Sequence, residues 1–130
     1  MNVVLLLSDQ EDSNAALDWA IDHIRDDTTA VLHVVAAPAD APAVPAQLSP
    51  SYQDDLEERL VDAGVHFVVH EPTADPSQRV VRLVDELNAE LAIVGLRKRT
   101  LAYKIVMGSH ARHVIQQANC PVVTVKARLG

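Results

Sequence analysis

Aliphatic runs alternate with amphipathic stretches along the whole chain. Val3-Val4-Leu5-Leu6-Leu7 is unbroken and apolar. Such a run predicts a strand buried on both faces, as in a parallel sheet. Asp12 and Ser13 then offer N-caps for a helix reaching about Arg25, with Ala16, Leu17, Ala20, Ile21 and Ile24 as its apolar stripe. Thr29 to Ala36, containing Leu32-His33-Val34-Val35, reads as the second strand. A helix is expected from about Pro50 to Ala63, with Leu56, Leu60 and Ala63 on one side and Gly64 just past its end. Val65 to His70 is the third strand. Asp75-Pro76 is a strong start signal for a third helix, which turns Val80, Val81, Val84 and Leu87 inward. Leu91 to Gly95 is the fourth strand, and residues 96–108 form a long connection. Ser109 is expected to cap a fourth helix running to about Ala118, with Val114 and Ile115 inward and Asn119 ending it in the left-handed conformation. Pro121 to Val125 is the last strand.

Five strands joined by helices predict an α/β, doubly wound, five-stranded parallel sheet with helices on both faces. No internal repeat and no second domain is visible, so residues 1–130 read as a single domain. In a 3-2-1-4-5 order, ligands bind at the carboxyl ends of the strands, in the crevice between the first and the fourth. The loops flanking it are Ser8-Asp9-Gln10 and Gly95 to Ser109. Residues 37–50 break the rhythm, with Pro38, Pro42, Pro45 and Pro50 among alanines. They read as an extended, solvated connection, with a mobile lid over a ligand as the alternative.

Composition narrows the class. The chain has 130 residues, of which 48% are hydrophobic and 22% charged, so it should fold without a disulfide or metal staple. No apolar run is long enough for a membrane span, and no leader pattern stands at Met1-Asn2-Val3-Val4, so a cytoplasmic protein is expected. The single cysteine, Cys120, reads as a buried small apolar residue rather than a nucleophile. The net charge of −7 is unevenly spread: residues 1–90 carry 18 acids and four bases, and residues 91–130 carry seven bases and no acid. A cationic tail on an acidic body suggests a local anion site or a polar mating surface. Nucleic-acid binding is disfavoured by the acidic remainder and the four aromatic residues.

The basic loop carries the candidate chemistry. Gly95-Leu96-Arg97-Lys98 is followed by nine residues and then Gly108-Ser109. Glycines let an anion approach the backbone, and Gly108-Ser109 stands at a helix start, where free N–H groups attract phosphate. The plainer reading is a turn and a cap. Arg97, Lys98, Arg99 and Lys104 favour phosphate. Asp9 either lies near a ligand, or only caps the following helix or satisfies loop backbone. Asp9, Glu11 and Asp12 would repel phosphates unless a Mg²⁺ were bound, and no dedicated metal motif is visible. His110 and His113 could share a helix face, but zinc would need further ligands, so they read as surface residues. His33 reads as a hydrogen-bonded core histidine. No nucleophile elbow or Walker-type loop occurs, so nothing specifies catalysis beyond slow nucleotide hydrolysis at most.

These features resemble the universal stress protein family. Its signature is Gly-x-x-Gly, nine residues, then Gly followed by Ser or Thr. Gly95, Gly108 and Ser109 keep that spacing, while Lys98 occupies the second glycine position. Asp9 after the first strand, Trp19-Ala20, Leu32-His33-Val34-Val35 and Cys120-Pro121-Val122-Val123 are similar to further family features, so the resemblance covers the whole chain. It implies the fold described above, of the adenine-nucleotide alpha-hydrolase-like type, and a stress-response sensor or regulator. It also implies an adenine nucleotide such as ATP, AMP or cyclic AMP, with Asp9 and Val34 flanking the adenine. Gly95, Gly108 and Ser109 would hold ribose and phosphates. If the second glycine position needs positive φ, Lys98 there costs about 1–2 kcal/mol. The last strand, Val122-Val123-Thr124-Val125, is expected at an exposed sheet edge, where the resemblance implies a homodimer. The alternative reading is a dimeric interaction module that binds no nucleotide and docks an unknown protein partner through its basic loop.

Overall fold

A computed structural model describes residues 1–7, 11–37, 50–98, 105–106 and 108–126; for 11–13, 97–98 and 105–106 it describes the backbone alone. The chain order is β1 (Asn2–Leu7), α1 (Glu11–Ile24), β2 (Val31–Ala36), α2 (Pro50–Asp62), β3 (His66–Val69), α3 (Pro76–Leu87), β4 (Leu91–Lys98), β5 (Ile105–Val106), α4 (Ser109–Gln117) and β6 (Val122–Lys126). Five strands pair in parallel in the spatial order β3-β2-β1-β4-β6, which is the expected 3-2-1-4-5 arrangement. The sixth, β5, is two residues long and pairs antiparallel with Arg97 and Lys98 at the far end of β4.

β1 occupies the centre because its sequence is apolar on both faces. Val3, Leu5 and Leu7 pack with Leu17, Ile21 and Ile24 of α1 and Leu56 and Leu60 of α2. Val4 and Leu6 point the other way, into a second cluster with Val80, Leu83 and Val84 of α3 and Ala111 and Val114 of α4. The period-two alternation of one strand thus divides its side chains between two cores.

Helix ends follow local chemistry. Asp75 caps α3 by accepting from the Gln78 N–H, with Pro76 as the first helical residue. Gly64 takes φ +71° after α2, as its position predicts. Several boundaries and faces differ from expectation. α1 begins at Glu11, so Asp12 and Ser13 lie inside it. Leu83 is buried on α3 where Val81 is only half-buried, because the inward stripe follows 80, 83, 84. On α4 the N-cap is Gly108, in extended backbone, and Ser109 is the first helical residue. Ile115 lies at 36% exposure, since Ala111 and Val114 set the buried face. The left-handed asparagine is Asn88 (φ 49°), after α3; α4 ends instead in extended backbone at Ala118. Asn119 donates to the Asp85 carboxylate at 3.0 Å. Residues 96–108 are not one open connection, because β4 continues to Lys98 and pairs with β5. The proposed lid lies almost wholly in 38–49, outside the described residues.

Gly64 and Gly108 should respond differently to alanine. Gly64→Ala forces a side chain into positive φ and is expected to cost about 1 kcal/mol. Gly108 has φ −66°, and a Cβ there meets nothing within 4 Å. Gly108→Ala should therefore be nearly neutral, the weaker cap being offset by a less flexible unfolded chain. Urea unfolding of both variants checks the contrast.

Candidate functional site

The crevice between β1 and β4 follows from strand order. β1 connects toward β2 on one side, and β4 lies on the other, so the chain leaves the carboxyl edge in opposite directions there. Gly95 lies on β4 opposite Val125 and is half-buried. Gly108 and Ser109 are exposed at the start of α4, which follows β4 and β5. The backbone of Arg97 and Lys98 forms the last two residues of β4, paired with Val106 and Ile105. Asp9, Arg99 and Lys104 lie outside the described residues. Val34 sits in the first core cluster at 0% exposure, and its carbonyl accepts the His70 N–H at 3.0 Å.

Strand pairing also bears on Lys98. Its backbone is extended, a conformation in which an L-residue pays no left-handed cost. Lysine at the second glycine position is therefore compatible with the local fold.

Two polar clusters lie on the α3 side of the sheet. In the first, His33 of β2 is buried at 7% exposure. Its Nε2 is 3.0 Å from Asn2 Oδ1, and its Nδ1 is 2.9 Å from His70 Nε2. An amide oxygen only accepts, so His33 carries its proton on Nε2 and accepts from His70 at Nδ1. Asn2 in turn donates from Nδ2 to the Leu87 carbonyl at 3.2 Å, tying β2 and β1 to the end of α3. Burial pushes both histidines below the ordinary value of 6.5; next in order are each ring's charged neighbours, His70 acting on His33 and Arg79 on His70. His33 is thus a hydrogen-bonded core residue, as its strand context suggests. Its partner His70 was hidden in the sequence by a separation of 37 positions.

In the second cluster, Ser77 of α3 is 3% exposed, and its Oγ lies 2.8 Å from His113 Nδ1 of α4. Sequence spacing carries no signal for this pair. Among the described residues no group of three or more His, Cys, Asp or Glu could hold a metal. Cys120 is half-buried against the second core, and burial pushes its thiol up, away from the reactive thiolate. No described helix is long and apolar enough to cross a membrane.

With this geometry in hand, comparison with known proteins is specific. The model of the universal stress protein family matches residues 1–126. A universal stress protein of Mycolicibacterium smegmatis is 31% identical over 114 residues, covering 86% of this chain and 87% of the relative. The chain belongs to the universal stress protein family. The solved universal stress protein of Archaeoglobus fulgidus is 26% identical, with a TM-score of 0.63 over 97% of this chain and 98% of that one. A family member from Arabidopsis thaliana, solved with AMP bound, gives a TM-score of 0.66 at 17% identity, covering 99% of this chain and 93% of that one. Two further family structures are complexes with dAMP, from Archaeoglobus fulgidus, and with cAMP. Their TM-scores are 0.58 and 0.60 at 23% and 20% identity, over 97% and 98% of this chain and 98% of each of those. At such identities these last three carry the shared α/β fold alone.

Two outcomes test the local analysis. Lys98→Gly should cost roughly 0.5–1 kcal/mol in urea unfolding, because glycine weakens a strand; a gain in stability would mean that Lys98 is strained. Stability should also fall as pH drops below about 6.5, since the unfolded chain binds protons that the folded His33 and His70 resist. That loss is absent above the unfolded value and grows as pH descends toward the lowered folded values. Unfolding curves from about pH 8 to about pH 5 should show a shallower decline in His70→Gln than in the wild type.

Proposed function

We propose that this protein binds an adenine nucleotide in the crevice between β1 and β4 and acts as a stress-response sensor or regulator. The observation that carries this reading is the course of the chain at the carboxyl edge. β1 lies between β2 and β4, so the chain diverges at the carboxyl ends of β1 and β4, and Gly95 is on β4 while Gly108-Ser109 opens the helix that follows it in sequence. The relatives solved with AMP, dAMP and cAMP support the ligand class.

In this reading the base and ribose lie toward Asp9. The phosphates lie toward Gly108, Ser109 and the cations Arg97, Lys98, Arg99 and Lys104, where charge-assisted hydrogen bonds replace those of a glycine loop. The acids at 9, 11 and 12 separate the two ends by repelling phosphate. Val34 is enclosed and its carbonyl is taken, so it contributes by shaping the wall from within the core. Two copies pair along β6, whose Val122, Val123 and Val125 are half-buried and whose Thr124 is exposed. Occupancy then alters a surface read by a protein partner, and no turnover is required.

Thermal unfolding with ATP, AMP and cyclic AMP, with and without Mg²⁺, tests this. Ligand at 100 times its Kd stabilises by about 2.7 kcal/mol, a rise of several degrees for a domain of this size. The expected result is a saturable shift for at least one nucleotide that Asp9→Ala removes. No shift at millimolar ligand would overturn the reading in favour of an interaction module acting through the basic loop.

A further inference from the structure

The outer face of α4 lines an open cleft. Ser109, Arg112, His113 and Gln116 recur at helical spacing and line an open space of about 360 Å³. The opposite face of α4, Ala111 and Val114, is buried against the sheet. All four lining side chains can donate hydrogen bonds, and among the described residues no carboxylate, Phe, Tyr or Trp lines the cleft. Arg112 makes no ion pair among the described residues.

His113 is the anchored member. Its Nδ1 is held at 2.8 Å by Ser77, itself almost fully buried on α3. This fixes the ring and leaves Nε2, without a partner among the described residues, as its remaining nitrogen for a ligand. A cation, a fixed imidazole, an amide and a hydroxyl together suit a multiply charged, oxygen-rich anion. From Ser109 to His113 is one helical turn, a rise of about 6 Å, which leaves room for linked phosphoryl groups.

We propose that this cleft binds a diphosphate group, with Arg112 and His113 as its principal contacts. The group comes either from free pyrophosphate or from the phosphate tail of a nucleotide. The site stands on its own side chains and does not require the crevice reading; Ser109 is the residue common to both.

The test is a titration of the His113 ring resonances by NMR with pyrophosphate, ATP and AMP, in the wild type, Arg112→Gln and His113→Gln. Saturable movement with pyrophosphate, weakened about tenfold or more in Arg112→Gln, supports the proposal with a free anion as ligand. Movement with ATP and not with pyrophosphate supports it with a nucleotide tail as ligand, provided that Arg112→Gln weakens ATP and leaves AMP unchanged. In His113→Gln, calorimetry should show the same ligand weakened. A ring unmoved by millimolar pyrophosphate and ATP, or a response that Arg112→Gln does not change, overturns it. AMP binding measured alongside reports on the crevice separately, so either reading can fail without the other.

Discussion

Everything in this fold depends on burying one strand twice. β1 has no polar face to offer water: Val3 to Leu7 are all between 0% and 7% exposed. A strand of that kind is stable only with a neighbour on each edge and a helical layer on each side. Pairing with β2 and β4 supplies the edges, and the α1–α2 and α3–α4 layers supply the cover. The connections must leave β1 toward one edge of the sheet and return for β4 on the other. The same packing requirement therefore creates the crevice where the chain diverges. The candidate site is a by-product of hydrophobic coverage, and its chemistry is added by whichever residues follow the central strands.

Polar side chains contribute differently, by tying the layers together. Asn2 joins β1 to the end of α3 while accepting from His33 of β2. Ser77 and His113 join α3 to α4, and Asp18 and Arg59 join α1 to α2. Each tie links segments distant in the chain, and the buried ones satisfy groups that would otherwise be costly to desolvate. The exposed Asp18–Arg59 pair contributes less, because water and salt screen it.

This division explains what the sequence made legible. Strand and helix identity rest on apolar periodicity, which is local, so the five parallel strands and the four helices among the described residues could be read and ordered. Asp75-Pro76 and Gly64 could be placed because their conformational preferences act on their immediate neighbours. Long-range pairing was not legible. The partners of His33, Ser77 and Asn119 lie 31 or more positions away and depend on how helices seat on the sheet. The choice between Asn88 and Asn119 as the left-handed residue was decided by the same seating, since both follow an apolar helix face. The extension of β4 was illegible for another reason. Arg97 and Lys98 are poor strand formers by composition, and only pairing with β5 makes them strand.

That pairing has a consequence for the protein's tolerance of change. The backbone is clamped at Lys98 and again at Ile105, so only six residues span the gap between them. Closure entropy grows slowly with length, each doubling costing about 0.6 kcal/mol. The span from 99 to 104 could accept inserted sequence while Gly95 and Ser109, on either side of the clamp, keep their positions. It is the natural point at which descendants of this chain could acquire a new recognition segment, or an engineer a reporter, without rebuilding the sheet.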